Sequence, residues 1–223
     1  MSRAGRECPV PVGRAQVAPI LEELARLYPD ADCALRHDSP WQLLVATILS
    51  AQATDKRVNL VTPALFARFP TVLEMAAAER SEIEEQIRSI GIFRNKAKNI
   101  QASARMVRDE FGGEVPRTLE ELTRLPGVAR KTANVVLGVV WGIAEGIVVD
   151  THVARLSWRL GLTTERRNVQ RIERDLMALI PRAQWIVLSH RLILHGRGPC
   201  TARSPRCSAC SLVTLCHRPG GQD

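Results

Sequence analysis

Apolar residues recur along this chain at helical spacing. Ile20, Leu21, Leu24 and Leu27 fall on one face of a helix over 17–28, which Pro29 ends. Ser39, Pro40 and Gln42 then read as a helix start: a capping serine, a proline at the first helical position and a glutamine placed to close a capping box. The segment that follows, WQLLVATILSAQ, is apolar on most sides, as expected of a helix buried in the middle of a fold. Further helices are predicted at 56–68, 72–77, 80–89 and 95–111, with Thr118 and Glu121 opening a short one over 119–124. After Pro126-Gly127 another should run over 129–141, before Gly142 and Gly146 interrupt the chain. Asp150 can cap a helix over 151–160 with Val153, Leu156 and Leu160 on one face; others are expected at 168–180 and 183–195, the last stopped by Gly196. No alternating strand flanked by turns, long linker, low-complexity tract or repeat interrupts this all-α pattern.

The stretch LPGVARK between two of these helices carries chemistry. Pro126 and Gly127 stop one helix and turn the backbone sharply, so the next helix begins with unpaired N–H groups that form an anion site. A plain turn between helices explains the same residues equally well. Lys131 is oddly placed, because cations stabilise the other end of a helix. There the dipole disfavours the added charge, partial burial would do the same, and an uncharged amine is a nucleophile that forms Schiff bases. A phosphate-binding or solvated lysine is the plainer account. Asp150, in VVDTHVAR, would be an ionised carboxylate fixed by its capping role; His152 fits a core or capping position rather than a catalytic one.

Composition narrows the classes. The formal net charge of +8 over 223 residues suggests a polyanion partner, nucleic acid before a membrane surface. Aromatic residues are only 4%, against the stacking platform of an RRM-type single-strand binder. No apolar run approaches the roughly 18 residues that span a bilayer, and the first residues lack a signal-peptide core, so a cytoplasmic protein is expected. Of six cysteines, Cys8 and Cys33 stand alone, while Cys200, Cys207, Cys210 and Cys216 crowd the tail as C-x6-C-x2-C-x5-C. Such clustering favours a metal site over a disulfide framework. Spacing alone points first to zinc, with a [4Fe–4S] cluster as the other four-thiolate solution. Arg203 and Arg206, on the loop between the first two cysteines, could present cations to a phosphate backbone.

Taken in order, LLVATILSAQATD, SIGIFRNKAKNI, LPGVARKTANVVLG, VDTHVARLSWRLGL and the four-cysteine tail resemble the endonuclease III family of DNA glycosylase/AP lyases, from about Leu21 to Cys216. The resemblance implies a two-lobed helix-hairpin-helix glycosylase fold. A six-helix barrel would cover 33–143 with the hairpin at about 119–141, and a cluster-containing helical domain would join 1–32 to 144–223, its cluster loop at 200–216. Lys131 matches the family's nucleophile and Asp150 its catalytic aspartate; Gln52 matches the glutamine that enters the space of the flipped nucleotide. Ile92 falls where a leucine wedge is common, and Ala129 replaces the second hairpin glycine beside Gly127 and Val128, which would approach the phosphate. The connection from Lys131 to Asp150 is one residue longer than usual. The resemblance also favours [4Fe–4S] over zinc. It implies a monomer acting on damaged double-stranded DNA in the bacterial nucleoid, removing oxidised pyrimidines and cutting 3′ to the abasic site by β-elimination. A mismatch adenine glycosylase would lack Lys131, a simple DNA-binding module would need neither Lys131 nor Asp150, and an electron carrier would need neither the hairpin nor the basic charge.

Overall fold

The computed structural model describes residues 14–217; Cys8 and the reading of the N-terminus lie outside them. Every regular element among the described residues is helical. They form two compact units, one of residues 33–145 and one of 14–32 with 146–217.

The first unit is built on α2 (Pro40–Ser50), whose residues Trp41 and Leu43 to Leu49 are all buried. Ser39 Oγ accepts the Gln42 N–H at 3.2 Å, as a cap should, but the Gln42 side chain reaches back to the Asp38 N–H, one residue before the expected partner. Around α2 pack α3 (Asp55–Arg68), α6 (Phe93–Glu110) and α8 (Arg130–Trp141). α4 (Val72–Ala77) and α5 (Arg80–Gln86) lie on α6, and α7 (Leu119–Arg124) lies on α8. The core joins Leu44, Leu65, Met75, Ile83, Ile100 and Leu137.

The second unit holds α1 (Arg14–Leu27), α9 (Thr151–Arg159), α10 (Val169–Leu179) and α11 (Trp185–Arg197) around Ile20, Leu24, Val153, Leu156, Ile172 and Leu192. Two short 3-10 turns, Cys207–Ala209 and Val213–Leu215, complete its cysteine-bearing end. Gly196 does not stop α11, which runs one residue past it. It is there because a Cβ would lie 2.8 Å from His152 Nδ1; the glycine admits α9 to the surface of α11.

Burial pushes the pKa values of His152 and His190, both in this unit, below the ordinary 6.5. In each case desolvation outweighs the opposing charge, Asp150 for His152 and Asp32 for His190. The unfolded chain then takes up protons first, so their contribution is complete above 6.5 and is lost as pH falls through the lower folded values. Thermal unfolding should show Tm falling from pH 7.5 to 5 by less in the variant His152→Gln, His190→Gln than in the natural chain. Equal pH slopes would contradict this.

Candidate functional site

The hairpin turns between α7 and α8. Gly127 has φ +80, a conformation that favours glycine, and a Cβ there would meet Asn99 Cβ of α6 at 2.9 Å. Ser103, one turn further along α6, donates to the Pro126 carbonyl at 2.8 Å. The turn is therefore pressed against α6 and tied to it. Val128 is buried and its N–H donates to the Leu125 carbonyl at 3.0 Å, so neither its side chain nor its amide faces solvent as an anion donor. Ala129 is the N-cap of α8 with φ −90, which needs no glycine, and it leaves the helix start without a side-chain cap. By contrast α2, α3, α4, α7, α9 and α10 all start with a side chain bonded to the first turn. An uncapped start leaves backbone donors and the positive dipole end for an outside anion.

Lys131 is the second residue of α8 and is exposed. Asp150 caps α9 as its sequence predicts, accepting the Val153 N–H at 2.8 Å. His152, two residues on, packs on Gly196, with its Nδ1 3.2 Å from Arg155.

Gln52 does not continue α2. The helix ends at Ser50, and Ala53 N–H closes on the Ser50 carbonyl at 3.1 Å. With Ala51 at φ −59, ψ 115 and Gln52 at φ 58, the chain makes a type II turn whose third position ordinarily takes glycine. Ile92 has φ 56, ψ 35 and is 57% exposed. A left-handed β-branched residue costs of order 1–3 kcal/mol, and such strain collects at functional positions. Among the described residues these two are the only non-glycines with positive φ. Gly91, next to Ile92, lies beside the Gln52 turn: its Cβ position is 3.9 Å from the Gln52 carbonyl.

The four tail cysteines are not joined in disulfides and line one cavity walled by Leu156, Leu160, Leu212 and Val213. Buried Arg159 donates to Cys200 Sγ at 3.3 Å and to the carbonyls of Thr201 and Ala202 at 2.9 and 3.0 Å. His195 Nε2 lies 3.6 Å from Cys210 Sγ and its Nδ1 3.0 Å from the Tyr28 hydroxyl. Burial pushes the Cys210 thiol pKa up. Among the described residues no group of three or more His, Cys, Asp or Glu side chains could hold a single metal ion. Arg203 and Arg206 are exposed on the loop that Arg159 anchors. The sequence did not flag Arg159 or Tyr28, because neither belongs to a cysteine or hairpin motif.

Among the described residues the chain is all-helical, with a tight hairpin beside an exposed lysine. The chain belongs to the HhH-GPD superfamily of base excision DNA repair proteins, whose family model matches residues 45–182. Its similarity is to endonuclease III in particular. It is 59% identical to Endonuclease III of Synechocystis sp. over 88% of this chain and 90% of that one, and 45% identical to Endonuclease III of Bacillus subtilis over 93% and 94%. A solved structure of a trapped endonuclease III–DNA covalent intermediate, 46% identical, superposes with a TM-score of 0.88 over 93% of this chain and 97% of that one. A thermostable thymine-DNA glycosylase at 22% identity and TM-score 0.78 shares the fold. No described helix is long and apolar enough to cross a membrane.

Proposed function

We propose that this chain is a bifunctional DNA glycosylase/AP lyase that removes oxidised pyrimidines from double-stranded DNA, as a monomer acting in the bacterial nucleoid. The observation that carries this reading is Lys131, exposed in the first turn of a helix that starts uncapped after the Gly127 turn. The endonuclease III relatives, one of them trapped covalently on DNA, support it. Residues 33–143 would be the barrel domain, and 1–32 with 144–223 the cluster domain.

The uncapped start of α8, at Ala129 and beyond Gly127, binds a backbone phosphate, as do Arg203 and Arg206 on the cysteine loop. The target nucleotide leaves the stack, and Gln52 and Ile92 fill its place. Asp150, as an ionised carboxylate, helps activate Lys131 and stabilises the positive charge developing on the sugar. The Lys131 amine bonds to C1′ while the C1′–base bond breaks, and the base departs with that electron pair and picks up a proton. Ring opening gives a Schiff base, which acidifies the C2′ proton. Loss of that proton breaks the C3′–O bond and releases the 3′ strand with a 5′ phosphate. Hydrolysis frees Lys131 and leaves an unsaturated aldehyde.

Four thiols around one cavity fit a four-thiolate group, and Cys200, Cys207, Cys210 and Cys216 would hold it. Zinc is the other four-thiolate solution; the C-x6-C-x2-C-x5-C spacing, which resembles the endonuclease III pattern, favours a [4Fe–4S] cluster. When bound, such a cluster would pin the Arg203–Arg206 loop.

The test is a labelled duplex with one oxidised pyrimidine. Wild-type protein should cut it to the unsaturated-aldehyde product and leave undamaged duplex intact; no cutting by cluster-replete protein refutes the reading. Metal analysis of the same preparation should find iron with broad visible absorption, and zinc in place of iron would overturn the cluster assignment.

A further inference from the structure

Lys96 is a buried cation that the proposed chemistry does not use. It is 6% exposed, and burial holds its pKa below the usual lysine range. Its Nζ donates to the carbonyl of Leu49 at 2.9 Å and to that of Ala51, next to Gln52. Its own N–H donates to the Ile92 carbonyl at 3.2 Å. One residue is thus bonded to the chain on both sides of the strained pair.

The physical logic favours a cation here. The last carbonyls of α2 lack helical partners and carry the negative end of its dipole, and a lysine satisfies both. A buried ammonium without partners would be costly, so the amine stays where those carbonyls are. With Nζ on Ala51, the type II turn that exposes Gln52 is closed from inside the core. Its N–H makes the ordinary opening backbone bond of α6 to the Ile92 carbonyl, so the anchored side chain stands one turn from Ile92. Gly91 lies beside the Gln52 turn, its Cβ position 3.9 Å from the Gln52 carbonyl, an ordinary contact distance.

We infer that Lys96 is a positioning residue that locks Gln52 and Ile92 into one two-pronged element, so that the pair enters DNA as a rigid unit. This rests on the reading above, in which the pair fills the space of the flipped nucleotide. Forty positions separate the prongs in sequence, and this side chain ties the turn before Gln52 to the first turn of α6, which begins after Ile92.

The test follows single-turnover excision from a duplex with an oxidised pyrimidine, with 2-aminopurine opposite the lesion to report loss of stacking. Lys96→Met, with a length close to lysine and no charge, should slow excision about 100-fold, as expected when a distant change misplaces reacting parts by about 1 Å. It should also lose the fluorescence rise seen with wild-type protein, while circular dichroism still shows a folded helical protein. Added to Gln52→Ala with Ile92→Ala, Lys96→Met should cause no further loss, because its effect passes through those side chains. A wild-type rate in Lys96→Met, or the same fold-loss in the background lacking both prongs, would overturn the inference. Should Lys96→Met not fold, Lys96→Gln is read by the same outcomes. Inactivity of the wild-type protein on every lesion would instead overturn the functional reading, and this inference with it.

Discussion

Lys131→Ala is expected to abolish strand cutting at an oxidised pyrimidine, with a loss on the order of 10⁴-fold or more, the scale of removing a nucleophile that forms a covalent intermediate. Lys131 lies in the first turn of α8, where its charge opposes the helix dipole instead of stabilising it. It is exposed, so its amine is open to a substrate rather than committed to the core. A phosphate-binding lysine would behave differently, because arginine would substitute for its charge. Lys131→Arg keeps the cation, and its guanidinium stays protonated and cannot attack C1′. Gel-shift binding to duplex with an abasic analogue should therefore survive in Lys131→Arg while cutting is lost as completely as in Lys131→Ala. Cutting by Lys131→Arg within tenfold of wild type would return Lys131 to the role of a phosphate ligand.

The second large effect is structural and is felt at the DNA. Gly127→Ala forces a side chain into a left-handed residue, at roughly 1–2 kcal/mol, and against Asn99 Cβ at 2.9 Å. Asn99 Cβ belongs to the body of α6 and cannot swing away as the end of a long side chain could, so overpacking adds about 1–3 kcal/mol. A total near 3 kcal/mol should lower Tm by roughly 6–12 °C for a protein of this size. The turn can relax only by moving off α6, which displaces the uncapped start of α8 and weakens its hold on phosphate. Binding to an abasic-analogue duplex should drop by about tenfold, or about 1.4 kcal/mol. Ala129→Gly is the control: at φ −90 nothing is strained, and only an exposed methyl is removed. Loss of both stability and binding in Gly127→Ala, with neither in Ala129→Gly, is the expected pattern. A Gly127→Ala protein as stable and tight-binding as wild type would contradict the hairpin geometry.

The helices were legible where the signal was local. Ser39, Thr118 and Asp150 each cap the helix they announce, because a cap acts within three residues. The near-uniform apolar character of α2 marked it as central, and it is buried along most of its length. What the sequence hid depends on partners far along the chain. The apolar run WQLLVATILSAQ gave no reason to end α2 before Gln52; the turn there is closed by Lys96, 45 residues beyond Ala51. Gly196 reads as a helix stop, yet its meaning lies in His152, on another helix. Arg159 looks like one more surface arginine on a basic chain and instead anchors the cysteine loop from within the core. Val128 falls in the phosphate-binding stretch by its motif, but the hairpin needs its side chain for the core. The motifs proposed the chemistry-bearing residues through their resemblance to a family; the backbone strain and the buried cations around them are tertiary facts.

The most direct measurement is to incubate the protein with duplex DNA carrying an abasic site in the presence of borohydride, then digest and map the cross-linked peptide. A reduced adduct carried by Lys131 is the predicted result. An adduct on any other amine, or none from cluster-replete protein, would contradict the assignment of Lys131 as the nucleophile.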